Sequence, residues 1–336
     1  IVTYAFRNAM IPVVTTLGLL AFAMSFFNDN HGVRPYVGGD PLAAPGQRID
    51  LEQAVERWRS CRRNGEIGAP LVVVATAGGG LRAAYWTSTV LGTLQDFYPQ
   101  FSERVFAISG VSGGAFGAAV YAALLREHGF GCQPSKVRPV AAVESASSVR
   151  YVSFAAEARA ILGHDFLGPT IAGLLYPDLM QRFLPGGFLP DRALALEKSF
   201  ERGWRSDGTP RTTPGLAAPF LSLWRDAAGR EAGHRPALLL NGTHQETGRR
   251  IITSNLQIRP ETFVDVFDFY DLADGDIRVS TAVTNSARFP YVTPAGTLTR
   301  GGANMGHILD GGFFENFGAV TAAEVLAVEE PGSVSA

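Results

Sequence analysis

Two apolar runs, each cut off by glycines and followed by a helix-compatible stretch, constrain this chain more than any other feature. Residues 70–77, Pro-Leu-Val-Val-Val-Ala-Thr-Ala, lead into Gly78-Gly79-Gly80 and a stretch running to about Phe97. Residues 105–108 lead into Gly110-Val111-Ser112-Gly113-Gly114 and small, helix-favouring residues to about Glu127. Short continuous apolar runs mark strands buried on both faces of a mainly parallel sheet. Strand–turn–helix units in tandem set their loops at the carboxyl ends of the strands, where α/β folds carry their sites. The expectation is an α/β domain with a central, mostly parallel sheet.

The second turn carries a serine in the pattern G-x-S-x-G. A sharp strand-to-helix turn leaves no room for side chains around Ser112, which explains Gly110, Gly113 and Gly114. A hydroxyl there would sit at a helix N-terminus, where the dipole favours developing negative charge. A Gly-rich turn with a solvated serine satisfies the same pattern. A serine nucleophile also needs an oxyanion site and a base. Gly78, Gly79 and Gly80 suit the first task, because successive backbone N–H groups at a helix start have no Cβ in the way. Arg82 would fix that loop or add positive potential. Residues 78–83 also fit a dinucleotide-binding G-x-G-x-x-A, but that site needs an acid at the end of the next strand, which ends Ile108-Ser109-Gly110.

The base is the more informative question. A Ser-Asp-His triad in α/β-hydrolase order needs a histidine after its acid, and no histidine follows Asp310. His307 would serve only an earlier acid such as Asp271 or Asp276. His128, His164, His234 and His244 have no flanking signature. Asp310 ends a short apolar run and precedes Gly311-Gly312. A carboxylate takes a serine proton directly when desolvation lifts its pKa from about 4 towards neutral.

Gly78-Gly79-Gly80-Leu81-Arg82, then Gly110-Val111-Ser112-Gly113-Gly114, then Asp310-Gly311-Gly312 together resemble the patatin-like phospholipases. Asn241-Gly-Thr243 with residues 246–249, and Ser286-Ala287-Arg288-Phe289-Pro290, are similar to two further family segments. The resemblance covers roughly residues 68–330. It implies a patatin-like three-layer fold and hydrolysis of phospholipid or lysophospholipid acyl esters. It further implies Ser112 as nucleophile, Asp310 as base, an oxyanion loop at 78–80 with Arg82, and neither metal nor cofactor. A Ser-Asp-His esterase using His307 and an inactive scaffold of the same fold are the alternatives. Tyr291 stands where the family often has a second proline, and residues 136–235 match no segment of it.

Composition bounds the rest. The 336 residues are 46% hydrophobic and only 18% charged, with net charge −2, so no basic field points to nucleic acid. Residues 10–27 carry no charge over 18 residues, and as a helix they would span about 27 Å, close to a bilayer core. Residues 1–30 are therefore expected to form a membrane helix, with a lipid substrate and the membrane as partners. Such a helix is more similar to bacterial membrane-attached relatives and implies the inner membrane, with a lean to the cytoplasmic side. Residues 31–67 read as a linker and an amphipathic helix from Asp50 to Arg63, and residues 68–336 as the catalytic domain. Within it, residues 136–235 read as a cap or insertion. Cys61 and Cys132 lack metal-ligand spacing, and the aspartates at 265–276 lack a calcium-loop pattern and read as surface carboxylates.

Overall fold

The computed structural model describes residues 12–38, 45–61, 70–131, 153–205, 208–226 and 233–328. Its sheet has seven strands: β1 Val72–Thr76, β2 Val105–Val111, β3 Ala237–His244, β4 Arg250–Ser254, β5 Val266–Asp268, β6 Gly296–Arg300 and β7 Ala303–Asp310. The helices that position the site are α1 Val13–Met24, α2 Leu51–Ser60, α3 Gly80–Phe97, α4 Gly113–Glu127, α5 Phe154–Leu162, α6 Leu167–Gly173, α7 Arg192–Gly203, α8 Val279–Ser286 and α9 Ala319–Ala327.

The strands run in the order β1-β2-β3-β4-β5, with β1, β2 and β3 mutually parallel as the tandem units require. β4 returns antiparallel to β3 across the turn containing Gly248, and β5 lies parallel to β4. The β6–β7 hairpin has no counterpart in the sequence reading, because Gly296–Arg300 lacks an apolar run. β1 also departs from its expectation of full burial. It is the first strand of the order and only its end, Thr76, is buried.

One feature of the register decides where the site forms. β4 occupies one edge of β3, so β2 and β7 must share the other. β2 stops with Val111 opposite Asn241, and β7 takes over antiparallel with Asp310 opposite Gly242. The two strands therefore meet end to end along β3, and the residue following Val111 is Ser112. A separation of almost two hundred residues is closed by one step along a strand.

Side chains alternate across the sheet, so each face meets its own helical layer. Leu238 and Leu240 pack with α4, α5, α7 and α8, while Ala237 and Leu239 pack with α2 and α9. The result is helices, sheet, helices, with α4 buried from Gly113 to Leu125. Helix α2 begins where the sequence places it, with the Asp50 carboxylate accepting from the Gln53 N–H at 2.9 Å. It buries Leu51, Ala54, Val55 and Trp58. Residues 153–224, within the block read as an insertion, share the main core: Phe116 on α4 meets Phe200 on α7 at 4.1 Å between ring centroids.

The expected membrane helix over residues 1–30 finds no support among the described residues. Helix α1 has 12 residues, about 18 Å at 1.5 Å per residue, against a hydrocarbon core of about 30 Å. Among the described residues no helix is long and apolar enough to cross a membrane. Pro12 precedes α1 and Ser25 closes it, its hydroxyl bonding the Phe22 carbonyl. The chain then turns into the domain, where the Phe27 carbonyl accepts from Gly186 N–H at 2.7 Å and Asn28 donates to Gln181 O. Residues 1–11 and Cys132 lie outside the described residues.

Candidate active site

Ser112 sits at the tip of the β2–α4 turn with φ 52° and ψ −120°, a combination that non-glycine residues avoid. Its surroundings hold it there. The Ser112 N–H donates to the Ser286 hydroxyl at 3.0 Å, and that hydroxyl donates to the Asn241 carbonyl at 2.6 Å. The Asn241 side chain in turn donates to the Ser109 hydroxyl and the Gly110 carbonyl, both at 3.0 Å, and accepts from Thr321 at 2.6 Å. Ser109, Asn241 and Ser286 are all buried, so this network is sequestered from competing water.

Asp310 ends β7 and enters a short 3₁₀ turn. Its backbone is fixed at both ends: the N–H donates to the Arg288 carbonyl at 3.1 Å, and the carbonyl accepts from the Thr243 hydroxyl at 2.9 Å. Its carboxylate accepts the Gly312 N–H at 2.8 Å and lies close enough to the Ser112 side chain for that hydroxyl to favour its charged form. Burial raises the Asp310 carboxyl above its ordinary range, and the Gly312 N–H and the nearby Ser112 hydroxyl oppose that shift without cancelling it. The serine side chain therefore lies beside a desolvated carboxyl group.

The Gly78–Gly80 loop lies against this pair. A Cβ built on Gly78 would stand 3.3 Å from the Ser112 Cβ and would overlap the Asn316 side-chain oxygen. A Cβ on Gly113 would fall on the Gly80 carbonyl oxygen, so loop and nucleophile turn are in backbone contact. The three glycines are not equivalent. Gly78 N–H donates to the Asn316 carbonyl at 2.8 Å, so it is already engaged, contrary to its expected part as an oxyanion donor. Gly79 and Gly80 open α3, and Gly113 opens α4, positions whose N–H groups have no intrahelical partner. Arg82 is exposed and, among the described residues, makes no ion pair or side-chain hydrogen bond. It does not fix the loop; Asn316 does.

The histidines are engaged elsewhere. His307 lies on β7 an odd number of residues from Asp310, on the opposite face of the strand, and pairs with Glu246. His244 is 3.0 Å from both the Thr247 hydroxyl and the Met305 carbonyl. His234 meets the Val105 carbonyl at the far end of β2, and His31 and His128 face Asp191 and Glu157. His164 packs its ring against Phe166. Among the described residues no group of three or more His, Cys, Asp or Glu side chains is placed to hold a metal ion. Of the aspartates read as surface carboxylates, Asp268 and Asp276 are buried: Asp268 pairs with Arg48, and Asp276 accepts from Tyr270, Ile277 and Leu221. A cavity of about 450 Å³ opens at the amino ends of β2 and β3, beside Phe106 and Ala237, away from Ser112.

Three residues of the site have no role in the sequence reading: Ser286, Asn241 and Asn316. Ser286 and Asn241 lie in segments singled out by resemblance, but their bonds to Ser112 and Ser109 cross 174 and 132 residues. Asn316 stands six residues after Asp310, past the two glycines, where only its carbonyl's reach to Gly78 reveals it.

Among solved structures, the crystal structure of VipD from Legionella pneumophila is similar at 14% identity and a TM-score of 0.26, over 73% of this chain. The chain spans 46% of that one, less than half its length. No curated protein matches at a significant level. The family model described as patatin-like phospholipase matches residues 74–323, from β1 into α9 and across Ser112, Asn241, Ser286 and Asp310. The chain belongs to the patatin-like phospholipase family.

Proposed function

We propose that this protein is a serine acyl hydrolase that cleaves acyl esters of phospholipids or lysophospholipids through a Ser112–Asp310 dyad. The observation that carries this reading is the end-to-end meeting of β2 and β7 along β3, which sets Ser112 beside the buried Asp310 carboxyl and against the Gly78–Gly80 loop. In the first half-reaction Ser112 Oγ attacks the ester carbonyl carbon and Asp310 takes its proton. Negative charge moves to the carbonyl oxygen, where the N–H groups of Gly79, Gly80 and Gly113 are placed to receive it. Collapse of the tetrahedral intermediate expels the alcohol, which leaves with the proton from Asp310, and the acyl group stays on Ser112. Water then attacks the acyl-serine, giving its proton to Asp310; collapse breaks the bond from Ser112 Oγ to the acyl carbon, Asp310 returns the proton to Oγ, and the fatty acid is released.

A carboxylate base suits this site for a physical reason. Desolvation brings its proton affinity closer to that of a working base at neutral pH, and no imidazole is needed to relay the proton. Labelling by a fluorophosphonate probe tests the reading. Wild type should label and hydrolyse a short-chain p-nitrophenyl ester, and Ser112→Ala should do neither. Labelling that survives in Ser112→Ala would sink the assignment. Absence of both labelling and hydrolysis in wild type would leave an inactive scaffold of the same fold.

A further inference from the structure

Exposed apolar side chains are dense on several segments that are bonded to one another. Helix α1 buries none of its residues; Val14, Leu19 and Phe22 are more than half exposed, and Phe26 and Phe27 continue the surface beyond it. Helix α6 and its continuation to Gln181 expose Leu167, Leu175, Tyr176 and Met180, and Phe188 follows at 77% exposure. These two stretches are joined by the Phe27–Gly186 and Asn28–Gln181 bonds. From residue 178 the connection runs on: Asp178 pairs with Arg192, whose Nε donates to the Val292 carbonyl at 2.9 Å. Next to Val292 are Phe289 and Tyr291, and Phe289 stacks on Phe313 at 6.4 Å, three residues after Asp310. On the loop side of the site, Leu81, Tyr85 and Trp86 stand exposed on the first turns of α3. These bonded, apolar stretches thus run from α1 to residues that flank Asp310 and the Gly78–Gly80 loop.

We propose that this surface is a lipid-docking face, on which α1, residues 167–188 and the aromatic rim lie in the plane of a phospholipid layer and present Ser112 to it. The proposal rests on the acyl-hydrolase reading, since continuity with that site is one argument for a lipid occupant. Charge is the other. Across residues 12–28 and 167–190 the exposed charged side chains amount to Arg182 alone, because Asp178 is buried against Arg192. Protein interfaces of stable complexes carry a polar rim with hydrogen bonds and ion pairs that fix register. A lipid surface needs no register, and it takes up in-plane apolar helices together with Tyr and Trp at the headgroup level. A patch this extended is also larger than isolated surface hydrophobes require. The attraction is apolar, so zwitterionic lipid suffices and salt does not weaken it.

Sedimentation of the full chain, as Ser112→Ala, with phosphatidylcholine vesicles at low and high salt tests this. Trp86 is a built-in reporter, being 72% exposed while Trp58 and Trp204 are buried. The expected result is co-sedimentation at both salt levels with a blue shift of tryptophan emission. The double variant Phe22→Glu/Leu175→Glu alters only exposed side chains and should weaken binding at least tenfold. In the Ser112 background the same double variant should lose vesicle hydrolysis and keep turnover of a soluble short-chain ester. Wild type that hydrolyses the soluble ester but neither sediments nor shifts would overturn the docking face and leave the hydrolase reading standing. Vesicle binding without any ester hydrolysis would do the reverse. A dimer in solution that Phe22→Glu/Leu175→Glu dissociates, with no vesicle binding, would assign the face to a second copy and overturn the proposal.

Discussion

The backbone N–H of Ser112 and the side-chain hydroxyl of Ser286 meet at 3.0 Å, and this bond ties the nucleophile turn to a helix 174 residues away in sequence. The same hydroxyl donates onward to the Asn241 carbonyl of β3, so Ser286 closes a bridge between the strand and the turn. Ser286→Ala removes both bonds and leaves the Ser112 N–H buried without a partner, a loss of about 1–3 kcal/mol in stability. Because the turn sets where Ser112 Oγ points, kcat should fall about tenfold to a hundredfold while KM changes little. Steady-state kinetics with a soluble ester, beside a urea unfolding curve, separates the two effects. An unchanged kcat in the folded variant would show that β2 and α4 hold the turn unaided.

Asp310 makes opposite demands on stability and activity. Its carboxyl is raised by burial, so the folded protein binds its proton more tightly than the unfolded chain. Such a group adds stability below the unfolded carboxylate pKa of about 4 and loses it as pH rises through the folded value. On the proposed dyad, activity runs the other way, since Asp310 must be ionised to act as base, and the acid limb of kcat/KM should show one ionisation above the ordinary carboxylate range. Asp310→Asn should abolish turnover yet unfold at a higher temperature than wild type at pH 8. The difference should shrink towards pH 4, and thermal melts across that range decide it. A constant difference would mean that burial does not disfavour the charged form.

Much of this arrangement is legible before any coordinates, and the boundary has a physical cause. Ser112, Asp310 and the loop at 78–80 announce themselves locally, because a strand ending in a glycine turn demands small residues wherever backbones touch. A Cβ at Gly110 would stand 2.7 Å from the Ala115 Cα, and one at Gly114 2.6 Å from the Thr76 carbonyl oxygen. Full burial of β2 and β3 follows from their unbroken apolar runs. Ser286, Asn241 and Asn316 are illegible because their partners are distant in the chain and serine or asparagine in a loop is common. Helix α1 misleads for a different reason: an apolar composition counts residues and does not register that Pro12 and Ser25 bound the helix at 12.

The placement of His307 separates two base assignments. Its ring pairs with Glu246, which sits in the turn between β3 and β4, and both side chains are partly exposed. An exposed pair of this kind contributes about 0–1 kcal/mol. His307→Ala should therefore keep turnover within about twofold of wild type and unfold within about 1 kcal/mol of it. A loss of turnover comparable with that of Asp310→Asn would restore the triad.

The backbone at Ser112 stores strain that two substitutions can expose. With φ 52° and ψ −120°, the residue lies where an L side chain costs about 1–3 kcal/mol. Ser112→Ala keeps the Cβ and its strain while losing the hydroxyl. Ser112→Gly loses the same hydroxyl but also removes the Cβ, against a penalty of about 0.5–1 kcal/mol for the freer unfolded chain. The glycine variant should therefore be the more stable of the two, by about 1 kcal/mol. Both variants lack the hydroxyl, so the comparison is independent of chemistry, and denaturant midpoints with equal m-values give it directly. If the two midpoints coincide, the turn is unstrained, and Ser112 is exposed to substrate by its position between β2 and α4 alone.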